Sequence, residues 1–261
     1  MQQEILSRLD EIEKQENVVI FYACESGSRA WGFSSKDSDY DVRFLYLHPQ
    51  DWYLAIDTEE KRDVIERPLV NVLDSILDIN GWDLKKALKL LRKSNPPLLE
   101  WLNSPIIYRE KYKITTKIRE IIPQYYSQVA CTYHYLNMAK GNFREYLQGE
   151  IVWLKKYFYV LRPLLAINWL ENKSDLVPLE FDILVECVKS PELLEAIANL
   201  LERKKQGQEL DRAPKIKVIS DFIESELKRI TAKTIAESKP KSDVEGLNNL
   251  FRMALVEAFH V

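Results

Sequence analysis

One stretch near the N-terminus constrains this chain most, because it sets two polar clusters beside two apolar runs. Residues 18–24 are apolar and predict a buried strand, which leads into a turn at Gly27-Ser28. A polar loop follows, and Asp39 and Asp41 then open a second apolar run. The pattern predicts two neighbouring strands with a glycine-serine turn and two carboxylates close to their junction.

The spacing of the two aspartates points to metal and phosphate chemistry. Residues i and i+2 of a strand face the same side, so Asp39 and Asp41 are expected to project together. Paired carboxylates repel unless a cation lies between them, and such oxygen ligands suit Mg²⁺ with substrate phosphates. A glycine beside a serine lets the backbone approach a phosphate closely. The stretch therefore predicts a site for Mg²⁺–nucleotide chemistry.

Four segments carry a resemblance to a known family. They are residues 27–32 (GSRAWG), 38–44 (SDYDVRF), 77–88 (LDINGWDLKKAL) and 154–165 (LKKYFYVLRPLL). The first two resemble the signature of the DNA polymerase β-type nucleotidyltransferase superfamily. Together the four resemble its RlaP-type branch, which is associated with RNA repair, and the resemblance covers most of the chain.

The resemblance implies two Mg²⁺ ions, which Mn²⁺ could replace, held by three carboxylates. Asp39 and Asp41 are the first two candidates. The third is Asp78, an acidic residue between apolar neighbours on a predicted strand. Asp74 is the alternative, because it has the same alternation phase. Asp83 is expected to cap the following helix instead.

Nucleotide contacts are expected from the same stretch. Gly27 and Ser28 would hold the phosphates, and Ser38 could touch them. Arg29 either faces the triphosphate or lies at the surface, and the two readings stay open. Arg43 shares the face of Asp41, so it could pair with Asp78 or bind phosphate.

A second cluster lies on a predicted helix. Lys155, Tyr159 and Arg162 follow the spacing i, i+4, i+7 and so share a helix face. Spacing alone favours solvated lysines and a packed tyrosine, whereas the resemblance implies that the three bind nucleotide. His134 and Asn142 also match the branch, but no neighbouring histidine or cysteine has zinc-ligand spacing.

Composition excludes several classes of protein. The net charge of −3 over 261 residues argues against a strongly basic nucleic-acid binder. No apolar run is long enough to span a membrane, and no signal region begins the sequence. Three widely separated cysteines lack the spacing of a metal or redox motif. These features predict a soluble, cytoplasmic protein without a membrane partner.

The fold class predicted is α+β, with a nucleotidyltransferase-type mixed sheet and flanking helices at residues 1–109. Residues 110–261 are expected to form an all-helical domain. A strand is predicted within 70–80, a turn at Asn80-Gly81, and a helix from Trp82. The later helices are expected at 124–147, 150–172, 191–206, 215–231 and 244–259, with a kink or restart at Pro163.

The function predicted is Mg²⁺-dependent transfer of a nucleoside monophosphate from an NTP to a hydroxyl, with release of pyrophosphate. The resemblance implies an RNA end as acceptor, in tRNA or a small RNA. One alternative is transfer to a small molecule or a protein side chain. Another is a non-catalytic module that senses nucleotides or binds a partner. The sequence does not indicate the oligomeric state.

Overall fold

The computed structural model describes residues 1–36, 38–56, 62–72, 75–173, 175–206, 212–233 and 243–260. The chain forms two compact units that interleave in sequence. The first comprises Met1–Ala30, Ser38–Tyr126 and Lys239–Val261, and the second comprises Trp31–Asp37 and Ser127–Ser238. Across the described ranges, none of the helices combines the length and the apolar character needed to cross a membrane. The predicted domain boundary between residues 109 and 110 stays a prediction.

The first unit is an α/β layer. Its elements, labelled in chain order, are α1 (Gln2–Glu16), β1 (Val19–Glu25), α2 (Gly27–Ala30), β2 (Tyr40–Leu47), α3 (Gln50–Leu54), β3 (Val64–Glu66), β4 (Val70–Val72), β5 (Ser75–Asp83), α4 (Leu84–Arg92), α5 (Pro96–Leu102), β6 (Ile107–Glu110), α6 (Ile114–Tyr125) and, from the C-terminal segment, α12 (Glu245–Phe259).

Its sheet is mixed. The described strands run in the order β3-β5-β2-β1-β6, with β4 paired to β5 as well. β2 and β5 are parallel, and the other pairs are antiparallel. The sheet fits the α+β class that the sequence predicts.

One face of this sheet is covered by α1. Ile5, Leu9 and Ile12 of that helix are buried at helical spacing against Val42 of β2 and Ile79 of β5. Because strand residues alternate in direction, the residues between these core positions point to the opposite face. Asp41 and Asp78 therefore lie on the side of the sheet away from α1.

The region around β5 differs from the prediction. Asn80-Gly81 was expected to form a turn, but both residues lie inside β5, which pairs with β2. A Cβ on Gly81 would lie 2.1 Å from Cε2 of Phe44, so the glycine serves the close approach of this ring. The turn prediction is wrong, because a local dipeptide signal does not reveal that tertiary contact.

The helix after β5 begins at Leu84, two residues later than predicted. Asp83 caps it, as expected, by accepting a hydrogen bond from the backbone N–H of Lys85 at 2.7 Å. The single strand predicted within 70–80 is instead the antiparallel pair of β4 and β5. Asp74, the alternative third carboxylate, lies outside the described residues.

The second unit is mainly helical. Its remaining elements are α7 (Gln128–Tyr146), β7 (Ile151–Trp153), α8 (Lys156–Asn172), α9 (Phe181–Val185), α10 (Pro191–Lys205), β8 (Arg212–Pro214) and α11 (Lys217–Ala232).

The helical C-terminal region is present, and it also contains a short two-stranded sheet of β7 and β8 that the helical pattern did not predict. α8 is buried on most sides, as expected for a helix that is apolar all round. It begins six residues after the predicted start, and it continues through Pro163 without a restart.

Candidate nucleotidyltransfer site

Two carboxylates lie side by side at the junction of β2 and β5. In the parallel register Asp41 is opposite Asp78, and Arg43 is opposite Asn80. The Arg43 Nη2 donates to Asp41 Oδ1 at 3.1 Å and to Asp78 Oδ2 at 2.8 Å. The three charged side chains are 17–28% exposed, so their attraction is only partly screened by solvent. The pairing of Arg43 with Asp78 confirms one of the two roles predicted for that arginine.

Asp78 is held by further donors. Asn80 Nδ2 donates to Asp78 Oδ1 at 2.6 Å, and Arg43 Nη1 donates to the Asp78 main-chain oxygen at 3.2 Å. Both carboxylate oxygens of Asp78 therefore accept hydrogen bonds from neighbouring side chains. These hydrogen bonds hold the Asp78 carboxylate next to Asp41, and the Arg43 guanidinium compensates its negative charge.

Gly27 packs directly against Asp41. A Cβ at Gly27 would lie 2.0 Å from Asp41 Oδ2, and the glycine has a φ of +60°. Only glycine satisfies both conditions without strain. The adjacent Ser26 N–H donates to the Asp41 main-chain oxygen at 2.8 Å. The glycine-serine turn and the carboxylate pair thus form one local structure, with the half-buried Ser28 in α2.

Arg29 stabilises the segment that carries the first aspartate. Its Nε donates to the main-chain oxygen of Asp39 at 3.1 Å, and its Nη2 donates to that of Ser38 at 2.6 Å. The guanidinium also lies 3.7 Å from the ring centroid of Tyr40. These contacts tie α2 to the entry of β2 and hold the buried Ser38 in place. A contact between Arg29 and phosphate stays a prediction.

Glu25 is a site residue that the sequence reasoning missed. Its side chain is fully buried, and its Oε1 accepts a hydrogen bond from the Asp41 backbone N–H at 2.8 Å. The Tyr108 hydroxyl donates to its Oε2. Burial raises the pKa of the Glu25 carboxyl to about 7, although both hydrogen bonds act in the opposite direction. An acidic residue at the end of an apolar strand was the signal that could have revealed it.

The donor chemistry of Asp39, Asp41 and Asp78 fits Mg²⁺, which prefers carboxylate oxygens. Their present arrangement gives the place between Asp41 and Asp78 to Arg43. Over the described ranges, no three histidine, cysteine or acidic side chains come close enough together to hold a metal ion. Arg43 thus joins Asp41 to Asp78, and the binding of a metal ion by Asp39 and Asp41 stays a prediction.

The predicted cluster of the second unit does not form one uniform surface. Lys155 is exposed at the start of α8, Tyr159 is half-buried, and Arg162 is only 2% exposed. Arg162 donates from Nη2 to the Leu179 main-chain oxygen at 3.3 Å, and its guanidinium lies 4.7 Å from the Trp31 ring. Exposure therefore decreases along the helix face, and Arg162 belongs to the interior of this unit.

Lys156 approaches two aromatic rings in the same unit. Its Nζ lies 4.2 Å from the ring centroid of Tyr146 and 4.7 Å from that of Tyr159. Burial, and then the charge of Lys155, lowers the pKa of the Lys156 ammonium. Asn142, which also matches the branch, donates to the main-chain oxygen of Met138 in its own helix at 3.0 Å. This contact gives Asn142 a local role in α7.

Residues 1–253 match the family described as RlaP: RNA repair pathway DNA polymerase beta family. The chain belongs to this family. The match spans the paired carboxylates, the glycine-serine turn and helix α8 alike, and it supports a nucleotidyltransferase.

Two individual proteins are similar to this RlaP chain. The protein YcgL of Bacillus subtilis (strain 168) is 46% identical over 258 residues, which cover 98% of this chain and 97% of YcgL. The crystal structure of a nucleotidyltransferase-like protein from Exiguobacterium sibiricum 255-15 is 10% identical, with a TM-score of 0.34. That comparison covers 99% of this chain and 77% of the other. At this score the likeness does not bear on function.

Proposed function

We propose that this RlaP protein is a Mg²⁺-dependent nucleotidyltransferase, which transfers a nucleoside monophosphate from an NTP to a hydroxyl and releases pyrophosphate. The observation that carries the proposal is the contact of Gly27 with the Asp41 carboxylate, two residues after Asp39. A backbone that can approach phosphate is thereby placed next to oxygen ligands that suit Mg²⁺.

Each residue of the first unit has a proposed role. Asp39 and Asp41 would hold two Mg²⁺ ions, or Mn²⁺ in their place, with Asp78 as the third carboxylate. When bound, the ions would neutralise phosphate charge and favour ionisation of the acceptor hydroxyl. The backbone at Gly27 and the Ser28 hydroxyl would bind the phosphates.

Arg43 is proposed to orient the carboxylates. Its guanidinium holds one oxygen of Asp41 and one of Asp78, which limits the rotation of both groups. Occupation of Asp78 by an ion would require Arg43 to release its Oδ2. Arg29 and Ser38 would keep Asp39 in place at the entry of β2.

Lys155 and Tyr159 are the residues of the second unit that are proposed to bind nucleotide. The ammonium of Lys155 is exposed and suits a phosphate, and the half-buried Tyr159 ring could stack on a base. Arg162, buried beneath them, would support this face through Trp31 and Leu179.

An RNA end, in tRNA or a small RNA, is the proposed acceptor. The support is the description of the family as part of an RNA repair pathway. The site itself does not identify the hydroxyl, so the acceptor is proposed by association with the family.

The test is incubation of the protein with Mg²⁺, each α-labelled NTP in turn, and a mixed pool of tRNA and small RNA. The double variant Asp39→Asn/Asp41→Asn is the inactive control. Asp221→Asn, which changes an exposed acid of α11, is the matched control for a surface carboxylate.

Label on RNA, absent with the double variant and kept with Asp221→Asn, would support the proposal and identify the nucleotide. Label on the protein would shift the acceptor to a side chain. NTP binding without transfer to RNA or protein would overturn the RNA acceptor and favour a small molecule or a sensing role.

A further inference from the structure

We infer that Glu25 is a positioning residue, whose buried carboxylate fixes the main chain of Asp41 and thereby aims the Asp41 side chain. The structural part of the inference stands on the hydrogen bonds alone. Its catalytic consequence rests on the proposed nucleotidyl transfer.

The need for such a residue follows from where the β1–β2 pairing ends. The last antiparallel pair recorded between the two strands joins Glu25 to Val42. Asp41 lies one residue beyond that pair. Its N–H is bonded to the side chain of Glu25 at 2.8 Å, in place of a main-chain oxygen. At this residue, which also pairs with Asp78 of β5, the Glu25 carboxylate therefore supplies the acceptor for the N–H that faces β1.

Three consecutive residues, 25–27, contact Asp41 from several sides. Glu25 binds its N–H, Ser26 N–H binds its main-chain oxygen at 2.8 Å, and Gly27 packs against its Oδ2. Arg43 holds the remaining carboxylate oxygen, Oδ1. Both main-chain polar groups of Asp41 and both of its carboxylate oxygens therefore have defined neighbours.

Glu25 is itself fixed by the edge of the sheet. Tyr108 in β6 donates its hydroxyl to Oε2, and the Ser104 hydroxyl donates to the Glu25 main-chain oxygen at 2.6 Å. The Glu25 N–H donates to the Ile106 oxygen at 2.9 Å. The carboxylate thus links β6 to the first residues of β2. A catalytic group that must be placed precisely needs such a rigid neighbour.

A buried carboxylate is costly for the fold, since desolvation disfavours its charge. An apolar side chain of similar size would fill the same space without that cost, but it could not accept the Asp41 N–H. The two donors that face Glu25 therefore require a hydrogen-bond acceptor at this position, although not a charged one. The acceptor for Asp41 is the contribution that only a polar side chain makes.

The experiment compares Glu25→Met with Glu25→Gln. Methionine keeps the volume and removes the acceptor, whereas the glutamine oxygen can still accept from Asp41 and its amide can donate to Tyr108. Tyr108→Phe is the matched control, since it removes the other hydrogen bond of Glu25 and leaves the one to Asp41.

The first readout is hydrogen exchange of the Asp41 amide, measured by NMR without nucleotide or metal. Glu25→Met should speed exchange at Asp41 by about tenfold to hundredfold, the range for a buried donor that is left without its acceptor. The amide of Leu45, in the middle of β2, should keep its wild-type rate. Glu25→Gln and Tyr108→Phe should stay within about threefold of wild type at Asp41.

The second readout is turnover. Glu25→Met should lower kcat on the order of 10²-fold with little change in KM for the NTP, because misplacing a reacting group by about 1 Å has that effect. Glu25→Gln should restore most of the activity. A variant that merely weakens the fold would not show this separation of kcat from KM.

Wild-type exchange at Asp41 as fast as at an unprotected amide would overturn the inference, even if Glu25→Met does not fold. Unchanged protection in Glu25→Met would do the same. Protection lost as expected in a protein that transfers no nucleotide would leave the positioning role standing and refute the proposed function alone.

Discussion

The charged candidate residues of the first unit lie on two paired strands, whereas those of the second unit lie along one helix. The two arrangements differ in how each charge is compensated. In the sheet, Asp41 and Asp78 share Arg43, so charges of opposite sign are arranged within hydrogen-bonding distance. On α8, Lys155 is solvated while Arg162 is buried against Trp31. Strand pairing brings together side chains from segments that are distant in sequence. Helix spacing only aligns residues of one segment, and the elements packed against the helix decide which of them are buried.

The double variant Asp39→Asn/Asp41→Asn should give the largest effect in this comparison. Removing the proposed metal ligands should lower kcat by at least about 10³-fold, as expected when groups that act as a unit are removed. The circular dichroism spectrum should stay that of wild type, because both side chains are partly exposed. Wild-type turnover in this variant would show that the metal-site assignment is wrong.

Asp78→Ala should lower kcat by about 10²-fold, since it removes the third proposed carboxylate and one of the two acids that hold Arg43. Asp74→Ala is the comparison variant and should have a much smaller effect. Steady-state rates of both variants decide between them. The reverse ranking would transfer the role to Asp74.

Gly27→Ala should impair both activity and stability. The new Cβ would collide with Asp41 Oδ2, and the φ of +60° disfavours alanine, for a combined cost of about 1–3 kcal/mol in the free energy of unfolding. Gly141→Ala is the control, because its Cβ would meet nothing within 4 Å and it lies inside α7. In urea unfolding, Gly27→Ala should lower the free energy of unfolding and Gly141→Ala should raise it. Equal destabilisation by the two variants would refute the contact of Gly27 with Asp41.

The stability of the first unit should decrease as the pH rises from about 4.5 to 7. The folded-state pKa of Glu25 is raised from 4.5 to about 7, so its contribution is present below 4.5 and is lost as the pH passes 7. In Glu25→Gln the decrease should be smaller by up to about 3 kcal/mol. Asp83, whose pKa is raised to about 6, should keep part of the dependence in both proteins. Parallel curves from urea unfolding would contradict the assignment to Glu25.

The smallest effects on turnover are expected on α8. Lys155→Ala should raise KM for the NTP a few-fold through loss of an exposed charge, without a change in the midpoint of thermal unfolding. Arg162→Met should instead lower stability by about 1–3 kcal/mol, since it removes the hydrogen bond to Leu179 and the contact with Trp31. A larger effect of Lys155→Ala on stability than of Arg162→Met would reverse the assignment of surface and interior.

Much of the first unit could be predicted because its signals are local. The apolar runs predicted β1 and β2, and Asp83 had the position of a helix cap. The joint projection of Asp39 and Asp41 stays a prediction, because Asp39 precedes β2. The Asn-Gly dipeptide at 80–81 wrongly predicted a turn, because the glycine instead makes room for Phe44 of the neighbouring strand. Such a contact depends on register, which no short window of sequence contains.

The residues that escaped prediction are those whose role depends on burial. Glu25 follows an apolar run, but its value to Asp41 becomes visible only when the pairing of β1 and β2 is known. Arg162 has the spacing of a surface cluster, yet α8 is covered on most sides. Periodicity describes which residues share a face, and it does not determine whether solvent reaches that face.

The chain passes between the two units twice within one short stretch, and this has a consequence for how the protein can be divided. Residues 31–37 belong to the second unit, where Phe33 stacks on Phe158 at 4.8 Å and the Trp31 oxygen accepts the Phe181 N–H. A fragment that ends at Tyr126 would leave these aromatic rings without their partners and would also lack α12, whose Phe251 packs on Tyr53. A single junction therefore cannot exchange one unit between relatives. A recombinant fragment would also have to account for residues 31–37, which lie within the signature but belong to the second unit.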